Sequence, residues 1–104
     1  MKEITLLVLT SQNDDSEASQ KKEVMLFPSL EAAKKFTIEK LCNDFWLSQK
    51  CDTYAKVVNE LSESGIDCGV IGDGINDKIW WEDDGKGEEY SILTVKEDNE
   101  FYVI

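Results

Sequence analysis

Histidine and arginine are both absent from this chain of 104 residues. Without histidine, the chain lacks the side chain that most often serves as a general acid or base, or as a metal ligand, near neutral pH. Without arginine, it lacks the planar cation that pairs with phosphate through two hydrogen bonds. No motif places a nucleophile beside a base. We therefore expect a protein that is not an enzyme, with no catalytic residues and no cofactor.

Three cysteines are present, and no run of apolar residues is long. The number of cysteines is odd, and Cys42, Cys51 and Cys68 form no C-x-x-C motif. Both features are typical of free thiols in a reducing compartment. Their spacing matches no zinc module, so we expect no metal site. The apolar run at residues 4–9 is too short to span a membrane, and its flanks are not those of a signal peptide. We expect a cytoplasmic protein.

Negative charge is what the chain has in excess. Its formal net charge is −11, and residues 57–104 alone carry thirteen acids against three lysines, a net −10. A strongly negative domain repels nucleic acid and anionic membranes. The expected partner is therefore a basic protein surface, with no direct contact to nucleic acid or membrane.

The first half of the chain predicts two strands followed by two helices. Residues 3–10 are apolar on both faces, which indicates a central strand or one whose second face meets a partner. Ser29 is a good helix N-cap and Asp52 a second one. Phe36, Trp46 and Leu47 fall off the apolar stripe of the first helix, so a second side of that helix is covered or faces a partner. The predicted elements are a strand at 3–10, a loop at 11–20, a strand at 21–27, a helix from Ser29 to about Leu47 and a helix at about 53–64.

The second half predicts a β-hairpin between residues 79 and 95. Its arms, near 77–82 and 88–96, flank an Asp84-Gly85 turn. A strand or extended piece precedes it at 68–72, and residues 101–104 are a possible terminal strand. Residues 1–104 are thus expected to form a single α+β domain, with a mostly antiparallel sheet, two helices on one face and the order β-β-α-α-β-β.

The hairpin supplies the predicted partner-binding site, because acidic and aromatic residues coincide there. Tryptophan and tyrosine are favoured interface anchors, and carboxylates attract a basic surface. We expect Ile79 and Trp81, with Leu93 or Val95, to face the helices. The opposite face is then expected to carry Trp80, Tyr90 and Ile92. The predicted contact residues are Trp80, Trp81, Glu82, Asp83, Asp84, Glu88, Glu89 and Tyr90.

Two other functions remain open. The two-faced first strand and the off-stripe aromatic residues are also expected of a homo-oligomeric structural module. The acidic loops supply the oxygen ligands that calcium prefers, although the EF-hand spacing fails and only a looser site at residues 83–89 is conceivable. The glycines between residues 65 and 74 lack the basic flanks of a phosphate-binding loop, so they are interpreted as turn residues.

In layout and charge the chain resembles small inhibitors encoded by phages and mobile elements, such as anti-CRISPR proteins and other DNA mimics. The resemblance covers the whole chain. It is an acidic domain whose cationic side chains are all lysines, and in it the hairpin at 79–95 follows a Ser29-capped helix. It rests on no specific motif, and the glycine-rich stretch at 65–74 departs from it. The resemblance implies a nuclease or other nucleic-acid-binding protein as target, in the host cytosol if the gene is carried by a phage. It also implies carboxylates that imitate phosphates: Glu82, Asp83, Asp84, Glu88 and Glu89, with Glu60, Glu63, Asp73 and Asp77 as a wider set.

Overall fold

The first strand, β1, comprises Lys2–Asn13 and runs through the middle of a sheet. The other elements are β2 Gln20–Phe27, α1 Leu30–Phe45, α2 Tyr54–Glu63, β3 Asp67–Ile71, β4 Lys78–Asp83 and β5 Lys86–Glu97. In this computed structural model, residues 2–13, 20–47, 51–72 and 77–97 are described. Their five strands form one antiparallel sheet in the order β2-β1-β5-β4-β3, with both helices packed on one face. The predicted α+β fold class is confirmed.

The central pairing joins the two ends of the chain. β1 pairs with β2 as a hairpin and, along its other side, with β5, from Lys2 opposite Glu97 to Asn13 opposite Lys86. Residues 11–13, predicted to be loop, extend β1 because both neighbouring strands continue beside them. Since β1 and β5 are far apart in the sequence, neither half of the chain completes the sheet alone.

The core lies between the helices and the face of the sheet that they cover. Leu7 on β1 and Leu41 on α1 have no exposed area, and Leu61 closes the same cluster from α2. Apolar side chains buried in this way supply most of the favourable free energy of folding. The fully buried side chains are Leu7, Ala33, Thr37, Leu41, Val57, Leu61, Ile79, Tyr90 and Ile92.

Both helices begin at a side-chain cap, one as predicted and one a residue later. The third residue of α1 donates its backbone N–H to Ser29 Oγ over 3.1 Å. At α2, the Lys56 N–H donates to Thr53 Oγ1 over 3.2 Å, so the cap is Thr53 and the prediction of Asp52 is wrong. Asp52 instead pairs with the Lys56 ammonium at 2.7 Å. Adjacent Asp and Thr are both good caps, and local pattern alone does not choose between them.

The hairpin between β4 and β5 turns in two residues. Asp84 and Gly85 both have positive φ, 50° and 80°, as in the type I′ turn whose twist matches that of paired strands. Asp83 therefore lies opposite Lys86. The predicted arms, ending at residue 82 and beginning at residue 88, imply a longer turn. The observed strand register differs by one residue from the register that those arms imply.

This register reverses the predicted faces of β5. Ile79 lies opposite Tyr90, so Tyr90 and Ile92 point towards the helices and are fully buried. The prediction that these two side chains lie on the outer face is wrong. Leu93 and Val95, proposed to face the helices, belong to the other face, because successive side chains of a strand alternate.

The remaining predicted elements agree more closely with the structure. A full strand, β3, replaces the strand or extended piece expected at 68–72, so the described order is β-β-α-α-β-β-β. The expected break between the helices is present, since α1 ends at Phe45 and α2 begins at Tyr54. The terminal strand predicted at 101–104 lies outside the described residues.

Candidate functional site

One end of the molecule gathers the hairpin turn, the C-terminal ends of both helices and the start of β3. The Phe45 and Trp81 rings meet edge to face with centroids 4.7 Å apart, which joins α1 to β4. The β3–β4 pairing sets Asp67 beside Glu82, and the ends of the two helices line a groove of about 260 Å³. The exposed residues at this end are called the acidic pole: Trp46, Glu63, Asp67, Glu82, Asp83 and Asp84.

The five carboxylates of the acidic pole are exposed, and the ion pairs formed within the described parts of the chain do not include them. Lys86, on the far side of the turn, adds a single cation. Like charges directly opposite on paired strands are destabilising, and Asp67 lies opposite Glu82. This arrangement does not stabilise the fold of the chain alone, whereas a partner bearing cations would relieve the repulsion.

Trp46 is the most exposed large apolar side chain among the described residues, at 93%. It terminates α1 in the left-handed conformation, with φ 56° and ψ 41°, and its N–H donates to the Cys42 carbonyl. Glycine or asparagine usually occupies such a position, and another residue there costs about 1 kcal/mol or more. An indole held in water at a strained position does not serve folding. The sequence showed Trp46 only as a residue off the helical stripe, and site prediction omitted it.

Glu88, a predicted contact residue, is instead a structural carboxylate. Its Oε1 accepts hydrogen bonds from Trp81 Nε1 and the Tyr90 hydroxyl, both at 3.0 Å, and its Oε2 lies 3.4 Å from Lys40 Nζ. Burial raises the pKa of Tyr90 above its usual range. Burial alone would lower the pKa of Lys40, but the hydrogen bond to Asp44 and the contacts with Tyr90 and Glu88 raise it. Glu88 thus ties the hairpin to α1.

Of the three predicted aromatic anchors, only Trp80 faces away from the helices. Trp81 packs against Phe45 on the covered side. Tyr90 has no exposed area, so this burial contradicts its prediction as a contact residue. The Trp80 indole lies across Gly69, where a Cβ atom would come within 2.8 Å of its Nε1. Close approach of the indole therefore explains the glycine, with no phosphate-binding role required.

Glu89 lies opposite Trp80 on the outer face and forms an ion pair with Lys78 at 3.0 Å. Glu88 and Glu89 consequently point to opposite faces of β5 and do not converge on a cation. Over the described ranges, no group of three or more acidic, cysteine or histidine side chains is placed to hold a metal ion. The geometry therefore gives no support to a calcium site at residues 83–89.

The wider set implied by the resemblance to DNA mimics is only partly on the surface. Glu60 accepts a hydrogen bond from Cys51 Sγ over 2.9 Å, and burial with this contact raises the pKa of Cys51 to about 12. A thiol with so high a pKa is a poor nucleophile near neutral pH. Asp77 is buried and forms an ion pair with Lys34. Glu63 is exposed at the acidic pole, and Asp73 lies outside the described residues.

Away from the acidic pole, a cavity of about 820 Å³ lies between α1, the start of α2 and the end of β3. Its described lining carries both signs of charge, and the Lys34 ammonium pairs with Asp77 and lies 5.9 Å from the centre of the Tyr54 ring. Burial raises the pKa of Tyr54 to about 12, so its hydroxyl stays protonated at neutral pH. Cys51 also lines this cavity, and its thiol donates to Glu60.

Comparison of the chain with protein-family models, with curated proteins and with solved structures finds no match. Neither described helix has the length and apolar character needed to cross a membrane. The inference of function therefore depends on the chemistry of the described surface.

Proposed function

We propose that this chain is a non-enzymatic binding protein that docks onto a basic protein surface through its acidic pole. The observation that carries the proposal is Trp46, which is 93% exposed in a strained conformation and lines one groove with the exposed Glu63. An isolated fold would gain stability from glycine at this position. A partner that covers the indole would offset this loss of stability.

The two kinds of side chain have separate tasks in this mechanism. The carboxylates attract a positive surface at long range, which raises the rate of association and makes it sensitive to salt. Trp46 then enters a pocket of the partner and loses its water, as aromatic side chains at the centre of interfaces do. Glu63 lines the groove beside Trp46, so a cation drawn to this carboxylate would lie close to the indole.

The class of target proposed is a nucleic-acid-binding protein, a nuclease among others. Such proteins carry basic grooves that bind phosphates, and an acidic protein of net charge −11 is their electrostatic complement. Docking of the acidic pole in that groove would exclude nucleic acid. Inhibition by competition, as in the small acidic inhibitors that the chain resembles, is the expected consequence.

The test is equilibrium binding to a panel of purified nucleases and other nucleic-acid-binding proteins at low ionic strength. The pole variant carries Glu63→Lys and Asp83→Lys. The control variant carries Glu23→Lys and Glu39→Lys, which reverses two exposed carboxylates elsewhere and gives the same net charge. We expect at least one panel member to bind the wild type and the control, and to bind the pole variant about tenfold or more weakly.

Two results would contradict the proposal. One is the absence of measurable binding to every panel member at low ionic strength. The other is an equal loss of affinity in the pole and control variants, since this would show that total charge, and not its position, governs binding. Circular dichroism of each variant establishes that it is folded before binding is compared.

A further inference from the structure

Two of the three cysteine side chains meet where the end of α1 approaches the start of α2. Cys42 Sγ lies 3.8 Å from the backbone carbonyl oxygen of Cys51, and the two thiols are within hydrogen-bonding reach of each other. Both cysteines line one surface groove of about 290 Å³, so a small molecule can reach the pair.

Cys68 is held at a different place. Its Sγ lies 3.3 Å from the Val58 carbonyl oxygen and 3.3 Å from Ser62 Oγ, where β3 packs against α2. The fold therefore brings Cys42 to Cys51 and gives Cys68 other partners.

We propose that Cys42 and Cys51 form a disulfide within the native fold when the chain is exposed to hydrogen peroxide. This inference does not depend on the function proposed for the acidic pole. In a reducing compartment such a bond is transient and senses oxidation, because the cellular thiol reductants return it to two thiols. Two sulfurs already in contact require little movement of the backbone to be joined.

The reaction has two steps. The sulfur of Cys42, which is half-buried whereas Cys51 is only 8% exposed, attacks one oxygen of the peroxide. The O–O bond breaks, Cys42 becomes a sulfenic acid and one water is released. The sulfur of Cys51 then attacks the Cys42 sulfur, and the displaced hydroxide takes up the thiol proton and leaves as a second water. Two thiols have then been oxidised by one peroxide.

Both thiols are protonated near neutral pH, which sets the speed of the first step. Burial raises the pKa of Cys42, and burial together with the hydrogen bond to Glu60 raises the pKa of Cys51 to about 12. The thiolate is the attacking form, so the disulfide should form slowly at neutral pH and faster as pH rises. The pair therefore suits a response to sustained oxidation.

The disulfide would change two contacts that border the acidic pole. Cys51 Sγ donates to Glu60 over 2.9 Å, and formation of the bond removes that proton. Glu60 lines the groove beside Trp46. The Cys42 carbonyl accepts the N–H groups of Trp46 and Leu47, so the bond would tie the residue that holds Trp46 in place to the start of α2.

The test is treatment of the reduced full chain with hydrogen peroxide at mildly alkaline pH, followed by alkylation of the remaining thiols. Cleavage after lysine puts the three cysteines on separate peptides, 41–50, 51–56 and 57–78. Mass spectrometry without reduction should find 41–50 joined to 51–56, and 57–78 alkylated. Before alkylation, the intact mass should be that of one chain less two hydrogen atoms, and a thiol reductant should restore the original mass.

Three variants separate the proposed pair from the third cysteine. Cys68→Ser is the matched control and should form the link as the wild type does. Cys51→Ser should leave peptide 41–50 unlinked, and Cys42→Ser provides a second disruption if Cys51→Ser fails to fold. The oxidised wild type should unfold at the same temperature as the reduced chain or at a higher one, because the bond closes a loop in the unfolded state.

Four results would overturn the inference. They are a link that includes Cys68, a link between two chains, prolonged oxidation that leaves peptides 41–50 and 51–56 unlinked, and a lower unfolding temperature for the oxidised chain. The last result would show that the bond forms only when the native fold is distorted.

Discussion

The acidic pole and the open apolar face, formed by Leu6, Val8, Val24 and Leu26 on the side of β1 and β2 away from the helices, lie on one small domain but expose different kinds of side chain. The pole combines exposed carboxylates with an indole that is 93% exposed, whereas Val24 and Leu26 are apolar and 62% and 72% exposed. Association through the pole should weaken as salt rises, because the attraction is Coulombic. Apolar side chains exert no such attraction, so substitutions on the two surfaces should have separable effects.

The largest predicted effect separates the open apolar face from the covered one. Leu7→Ala removes a side chain with no exposed area and should lower the free energy of unfolding by about 2–5 kcal/mol through lost burial and a cavity. Leu26→Ala, at 72% exposure, should change it by about 0.5 kcal/mol or less. Chemical denaturation measures both losses. Equal losses would show that Leu26 is packed within the monomer.

The next effect separates structural carboxylates from those of the acidic pole. Glu88→Ala leaves Trp81 Nε1 and the Tyr90 hydroxyl without their acceptor, and should cost about 1–3 kcal/mol. Glu82→Ala removes an exposed charge that lies opposite Asp67, so it should leave stability unchanged or slightly raised. Thermal melts of the two variants measure both effects, and a larger loss for Glu82→Ala would contradict the assignment.

Trp46→Gly should move stability and binding in opposite directions. Glycine adopts φ 56° without strain, so the free energy of unfolding should rise by up to about 1 kcal/mol. Affinity for a partner held by the acidic pole should fall about tenfold or more, because the aromatic anchor is lost. Trp46→Phe serves as the matched variant, expected to retain most of the affinity. A destabilised Trp46→Gly that binds as tightly as the wild type would remove the argument from strain.

The smallest effect tests whether Glu60 belongs to the interior or to the acidic pole. Burial and the Glu60 contact raise the Cys51 pKa from 9.0 to about 12, so the folded state holds the thiol proton more tightly than the unfolded state. The resulting stability is complete below pH 9 and is lost as pH rises from about 9 to about 12. Cys51→Ala should flatten this decline in urea denaturation midpoints. Parallel wild-type and variant curves would show that the contact contributes nothing.

The sequence predicted the elements well and their fine register poorly. Periodicity and the Ser29 cap identified both helices and the strands of the two hairpins, because these signals act locally. The pairings of β1 with β5 and of β3 with β4 were not predicted. The choice between Asp52 and Thr53 as cap depended on the path of the chain into α2. The inward placement of Tyr90 depended on whether the turn holds two residues or more, and an Asp-Gly pair beside a second Gly allows either.

In the candidate site, too, local features were predicted from the sequence and features that depend on the fold were not. The acidic character of the hairpin turn followed from counting charges, and Glu82, Asp83 and Asp84 are exposed there. Trp46 was not predicted as a site residue, because its exposure arises where α1 stops, and no residue after Phe45 signals that stop by the usual glycine. Composition also does not distinguish Glu88, which accepts hydrogen bonds from Trp81 and Tyr90, from the exposed carboxylates of the hairpin turn.

The most direct test of the account is sedimentation velocity of the chain mixed with a basic panel protein that it binds, at low and then high ionic strength. Rising salt should release the basic protein, because the added ions screen the attraction of the acidic pole. Retention of the basic protein at high salt would contradict the claim that the pole attracts it through charge.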